Sequence, residues 1–258
     1  MALSRAFEPT SRLDGRVAVI VGGAGAIGLE TAQALAALGA RVALVHRQPG
    51  QVTPVQLAQL PGSGHQAFMA DVTDSTSLKA AAQAIQQAMG APSILVNSAG
   101  YTRAIPLADL EALSDEIIDD IFKVNFRGVF ATIRAFTPHL RQGVDPVIIN
   151  VSSIAAFTGQ GSNLAYAASK AATDLMTKSL ANALSPGLRV VGVAPGVVNT
   201  DFVPGRGPDF NDKAAAKTPL RRIGQAHDVA MAIVAMCTSL AFATGTTLVV
   251  DGGRHLAL

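Results

Sequence analysis

The chain of 258 residues contains a single cysteine, Cys237, so no intrachain disulfide can form. With no His/Cys cluster beside it, the sequence offers no metal site of the structural zinc kind. Charge is scarce as well: 15% of residues are charged while 49% are apolar, which excludes disorder and leaves too little polarity for an extended scaffold. The net charge is only +2, and the Lys and Arg residues are scattered without a basic stripe, so no nucleic-acid partner is expected. Long apolar runs are missing. The stretch from Val17 to Val45 is broken by Glu30, Arg41 and several glycines, short of the roughly 18 apolar residues a membrane span needs. No membrane partner is expected. The opening "MALSRAFEPTSRLDG" lacks the apolar core of a signal peptide. Residues 1–13 read as a short arm and 14–258 as one domain of a cytoplasmic protein. Tyrosine is rare too, with two in the chain, which draws attention to Tyr166 in "YAASK".

Seven short runs rich in Val, Ile and Leu are present: 16–21, 41–46, 65–70, 93–97, 147–152, 188–194 and 246–251. Their near-continuous apolarity is that of parallel strands covered on both faces. Helical segments are expected between them at 26–38, 75–89, 114–139, 164–184 and 225–240, with Gly39 as a left-handed stop for the first. This alternation predicts an α/β, doubly wound (Rossmann-like) seven-stranded parallel sheet with helices on both faces. The Gly-, Pro- and Asp-rich segment 199–212 reads as a loop over a site at the strand ends.

After the first strand, "GGAGAIG" (22–28) opens a helix. Glycines there permit a tight turn and let main-chain N–H groups receive a pyrophosphate. The spacing fits three patterns: G-x-G-x-x-G on Gly23, Gly25 and Gly28; G-x-x-G-x-x-G on Gly22, Gly25 and Gly28; or G-x-x-x-A-x-G with Ala26. The loop points to a dinucleotide without saying which enzyme class uses it. The second strand ends in His46 and Arg47, where NAD sites usually carry an acid. A guanidinium can pair with a 2′-phosphate that a carboxylate would repel, which favours NADP(H), with NAD(H) acceptable if Arg47 only stacks on adenine or faces solvent.

Together with "DVTD" (71–74), "NSAG" (97–100), "VNFRG" (124–128), "NVSS" (150–153), "YAASK" (166–170) and "APGVVNT" (194–200), the glycine loop resembles the short-chain dehydrogenase/reductase family over residues 14–253. The loop itself is close to that of the family's longer branch. Ser153 and Tyr166, however, stand 13 residues apart, the interval of the shorter, single-domain branch. Two departures are Val21 for a frequent threonine and Ser98 for the second asparagine of "NNAG".

The resemblance implies residue roles. Tyr166 and Lys170 share a helix face, and an ammonium near a phenol favours phenolate. On its own such a pair reads first as an exposed helical contact worth a few tenths of a kcal/mol. Within the family pattern Tyr166 becomes the general acid/base, Ser153 the donor to the substrate oxygen and Lys170 the ligand of the nicotinamide ribose. Ser152 is expected to point into the sheet. Asn125 would hold a water linking Lys170 to solvent. Dinucleotide contacts would come from Gly22, Gly25, Ala26, Ile27 and Gly28 at the pyrophosphate, His46 and Arg47 at the ribose, and Asp71 and Val72 at adenine. Asn97, Ala99 and Gly100 would pass beside the ribose, and Pro195, Gly196, Val198 and Thr200 would frame nicotinamide. Tyr101, Ala155, Gln160 and the 201–218 loop are expected to line the substrate pocket. The activity implied is reversible hydride transfer on a small alcohol or ketone, with self-association into a tetramer through the long helices. A narrower likeness is to 3-oxoacyl-carrier-protein reductases, although Asn182 stands where they commonly carry arginine. A dinucleotide-binding sensor without chemistry is the remaining alternative.

Overall fold

The computed structural model describes residues 12–205 and 207–257. The expected arm 1–13 lies outside them except for Arg12 and Leu13. Leu13 is buried in the core, and its N–H donates to Leu38 O.

The strands are β1 (Val17–Val21), β2 (Arg41–His46), β3 (Gln66–Met69), β4 (Ile94–Asn97), β5 (Val147–Val151), β6 (Arg189–Pro195) and β7 (Thr247–Val250). They form one parallel sheet in the order β3-β2-β1-β4-β5-β6-β7. The order reverses between β1 and β4, where a crevice opens beyond the carboxyl ends of the strands. The helices are α1 (Ala26–Ala37), α2 (Pro54–Ala58), α3 (Ser75–Met89), α4 (Asp115–Phe122), α5 (Val129–Leu140), α6 (Ala155–Thr158), α7 (Leu164–Leu184), α8 (Phe210–Ala216) and α9 (Ala226–Cys237).

Strand side chains alternate between faces, and both faces are apolar because both are covered. Ala18 and Ile20 of β1 pack with Leu35 of α1 and Ile233 of α9. Val17, Val19 and Val21 face the other layer, with Ile85 of α3 and Phe136 of α5. Gly39, at φ +96°, stops α1 as expected. Among the described residues no helix is long and apolar enough to cross a membrane.

The segment expected as one helix at 114–139 is interrupted. Between α4 and α5, Lys123–Gly128 forms a π-helical turn. Its cause is tertiary: the Asn125 side chain is drawn to the backbone of Tyr101. The Tyr101 N–H donates to Asn125 Oδ1 at 2.8 Å, and Asn125 Nδ2 donates to Tyr101 O at 2.9 Å. Such turns widen a helix by one residue and are frequent at functional sites.

Candidate active site

Beyond the carboxyl ends of β4, β5 and β6 lies a cavity of about 830 Å3, lined in part by Ser153, Tyr166 and Lys170. Each reaches it by a different local device. Ser153 stands two residues beyond the end of β5, and its Oγ accepts the Ala155 N–H at 3.2 Å as α6 begins. Tyr166 stands in the first turn of α7, whose cap is Asn163. That carboxamide oxygen accepts the Tyr166 N–H at 2.7 Å, and its Nδ2 donates to Arg103 O at 2.8 Å. Asn163 is 1% exposed, so one buried amide both starts the helix and ties down the 101–105 segment. Lys170 follows one turn after Tyr166.

Lys170 is a buried cation. Its Nζ donates to Val151 O at 2.7 Å and sits 5.8 Å from the Tyr166 ring centroid. Desolvation lowers its pKa from 10.5 to about 8, against the opposing pull of Asp174 one turn further along α7. Asp174 is held in turn by Thr247 Oγ1 at 3.1 Å. Phe202, from the loop after β6, packs its ring 6.0 Å from that of Tyr166 and touches the space beside Gly100. Ser152 turns inward as expected: it is 3% exposed, and its Oγ has no partner among the described residues.

Between β1 and α1 the glycines divide into two kinds. A Cβ on Gly22 would lie 2.5 Å from Ala99 N, and one on Gly28 would lie 2.4 Å from Gly22 O, so these two let backbone pack on backbone. Gly22 also holds φ +85°. A Cβ on Gly25 would meet only Gly22 O, at 3.4 Å, and would otherwise enter the open space above the helix start. The first N–H groups of α1, those of Ala26, Ile27 and Gly28, have no intrahelical partner and face that end. A bare cradle beside unpaired donors fits a pyrophosphate.

The structure gathers most of the residues singled out in the sequence around this crevice. Ile27, Gly100, Pro195, Gly196, Val198 and Thr200 line the cavity, as do Ala155 and Gln160. Asn97 is buried; its Nδ2 donates to Asn150 Oδ1 at 2.8 Å, and its Oδ1 lacks a partner among the described residues. His46 is 8% exposed and bonds Gln48 O through Nδ1, whereas Arg47 is exposed at the end of β2. Burial would raise the Asp71 carboxyl, but bonds from the Thr73 N–H and hydroxyl, with the charges of Arg47 and Lys123, outweigh it and leave the pKa lowered. Val72 packs on Gly128 of the π-helical turn. Tyr101 is not brought to the cavity: its hydroxyl receives Arg103 Nε at 2.7 Å on the outer side. The wall it was expected to supply is built by Ala104, Ile105, Pro106 and Leu107.

Sequence reasoning passed over Asn163 and Arg254, while Phe202 and Lys217 fall within the 201–218 loop expected to line the pocket. An asparagine directly before a helical run is a capping signal, so Asn163 could have been found. Arg254 depends on how segments distant in sequence meet: it follows β7 and bonds the Ala214 carbonyl of α8.

A family model described as "Enoyl-(Acyl carrier protein) reductase" matches residues 22–255. A granaticin polyketide synthase protein of Streptomyces violaceoruber, named as a ketoacyl reductase, is 36% identical over 93% of this chain and 96% of its own. The 3-oxoacyl-acyl-carrier-protein reductase FabG of Escherichia coli is 31% identical over 94% of this chain and 98% of its own. Among solved structures, a gluconate 5-dehydrogenase from Burkholderia cenocepacia, in complex with NADP and tartrate, superposes with a TM-score of 0.88 at 29% identity. That match covers 97% of this chain and 99% of the other.

Proposed function

This chain belongs to the short-chain dehydrogenase/reductase family of oxidoreductases, and from that premise we propose that it transfers hydride reversibly between NADP(H) and an alcohol/carbonyl pair. The observation that carries the reading is that Ser153, Tyr166 and Lys170 line one cavity, which also reaches Ile27 of the glycine loop. When bound, the dinucleotide supplies or accepts the hydride. Everything else falls to side chains and backbone of this chain, within residues 14–258 acting as one domain.

The N–H groups after Gly25 hold the pyrophosphate, Asp71 and Val72 hold adenine, and His46 and Arg47 meet its ribose. Asn97, Ala99 and Gly100 flank the ribose, while Pro195, Gly196, Val198 and Thr200 fix the nicotinamide face. Tyr166 gives its proton to the carbonyl oxygen on reduction and removes it on oxidation. Ser153 donates a hydrogen bond to the same oxygen as charge develops there. Lys170, kept charged below about pH 8, favours the phenolate of Tyr166 and binds ribose hydroxyls. The Asn125 side chain is engaged by Tyr101 and Ser169, and its carbonyl accepts the Thr173 hydroxyl at 3.2 Å. The second lone pair of that carbonyl holds a water that links Lys170 to solvent.

A second reading, reduction of a 3-oxoacyl chain on a carrier protein, is favoured by two relatives bearing that kind of name. It is opposed by the exposed Asn182 on α7, where a cation would greet an acidic carrier. We also propose a homotetramer, because Phe126 in the π-helical turn, Phe130 on α5, and Leu164 and Leu175 on α7 leave apolar surface exposed.

The test is a panel of ketones, hydroxy acids and polyols assayed in parallel with NADPH and NADH. The expected outcome is turnover of at least one carbonyl compound with NADPH favoured. Arg47→Asp should move that preference toward NADH by roughly tenfold or more. A preference unmoved by Arg47→Asp would remove the argument for the 2′-phosphate. Dinucleotide binding without turnover of any compound would favour a sensor.

A further inference from the structure

We infer that the cavity ends in an anion subsite formed by Lys217 and Arg254, so that the substrate is a carbonyl compound carrying a carboxylate or phosphate at its far end. This rests on the hydride-transfer reading of the same cavity and adds the substrate class to it.

The charge on the cavity wall is one-sided. Lys170, Lys217 and Arg254 line it, and no Asp or Glu does among the described residues. Two cations in this part of the molecule are paired with carboxylates, whereas Arg221 bonds the Ala216 carbonyl. Lys213 is 3.7 Å from Asp209, and Arg222 forms a two-bond pair with Asp228 at 2.6 and 2.8 Å. Neither of those lines the cavity. Lys217 and Arg254 do, and neither has a carboxylate partner among the described residues. Asp251, three residues before Arg254, is engaged by the Gly253 N–H, the His255 N–H and the His255 ring. Arg254 is held in place by one bond, Nη1 to Ala214 O at 3.0 Å, and a guanidinium has five N–H donors. The remaining donors form a fork suited to a carboxylate or phosphate.

These cations are not placed for the dinucleotide's pyrophosphate. The glycine loop follows β1, whereas Arg254 follows β7, four strands away in the sheet order, or about 19 Å at ordinary strand spacing. Ser153 and Tyr166, near the end of β5, lie between. The substrate therefore reaches from the carbonyl at β5 toward β7, away from the cofactor cradle. The same cavity carries apolar lining, including Ile105, Leu107, Phe202 and Phe210. Along the sheet order the cavity runs from the proton donor near β5 toward Arg254 after β7, which bonds Ala214 O of α8, three residues before Lys217. A medium-chain oxo acid matches that course.

The decisive experiment compares a medium-chain oxo acid with its methyl ester, the carbonyl at the same position, using the full chain and NADPH. The acid is expected to have kcat/KM roughly tenfold or more above the ester, a ratio that falls as salt rises. Arg254→Gln and Lys217→Gln should each shrink the acid-to-ester ratio, and Arg254→Lys should retain part of it. Lys217 is exposed at the end of α8, so its variant keeps the test open should Arg254→Gln fail to fold. A phosphopantetheine thioester of the same acyl chain is the third arm. If it outperforms the acid and loses that advantage in both glutamine variants, the subsite takes phosphate. An ester used as well as the acid, with ratios unmoved in either variant, overturns the subsite and leaves hydride transfer standing. No turnover of any arm despite dinucleotide binding overturns the underlying reading as well.

Discussion

At the amino ends of β1 and β6, Arg16 and Arg189 reach under the sheet toward the carboxyl end of α9. At the carboxyl end of β5, Lys170 reaches from α7. All three cations are buried wholly or in part, and burial lowers the pKa of each. Their surroundings differ. Arg16 donates to Ser93 Oγ at 2.9 Å and Asp145 O at 2.8 Å, and Arg189 donates to Met236 O at 2.9 Å and Ala243 O at 3.1 Å. The carbonyls at the end of α9 carry the negative pole of that helix, so two guanidiniums suit them. Guanidinium stays protonated regardless of such burial. Cys237, between them, is a buried thiol pushed up to about 12 by desolvation despite both charges. Lys170, with one backbone acceptor and a more distant carboxylate, comes down to about 8. Desolvation makes a lock from an arginine with many acceptors and a titratable group from a lysine with few.

The sharpest way to separate the two ends is Tyr166→Phe, which removes the phenolic proton and leaves the buried cations in place. Turnover should fall about a thousandfold while dinucleotide affinity, followed by fluorescence titration, stays within about twofold. Next in size is the pH dependence of stability through Lys170. The folded chain releases this proton near 8 and an unfolded lysine near 10.5, so the unfolded chain binds more protons between those values. The penalty of burying Lys170 is therefore full below about pH 8 and is relieved as pH rises toward 10.5. Urea denaturation of wild type and Lys170→Met should show their stability difference changing by up to about 3 kcal/mol across that window. A constant difference would mean the lysine is not desolvated. The smallest effect belongs to the other end: Arg189→Met should cost about 1–3 kcal/mol of stability, with kcat/KM per folded molecule unchanged. An activity loss there would join the two ends and spoil the contrast.

The sheet was legible because continuous Val, Ile and Leu runs have few other uses in a chain of alternating helices and strands. Each expected strand lies within a residue or so of the observed one. The interruption at 123–128 was not legible, because its cause is an amide reaching a backbone segment 24 residues earlier. Tyr101 illustrates the same limit in reverse: its sequence neighbours reach the cavity, but Arg103 draws its hydroxyl outward. Ser153, Tyr166 and Lys170 stood out because two sit on one helix face and the third stands just past a strand at a family interval. Lys217 and Arg254 carry no such interval. They line one cavity only because the segment after β6 and the turn after β7 lie over the same strand ends.

The proposed turnover pairs hydride delivery with a proton from Tyr166. The most direct measurement uses NADPH deuterated at the reactive face of C4, with mass analysis of the alcohol formed by wild type and Tyr166→Phe. One deuterium per product from wild type, and product only at a rate about a thousandfold lower from the variant, is the result expected. Bound NADPH that labels no carbonyl compound, or a variant that labels as fast as wild type, would contradict it.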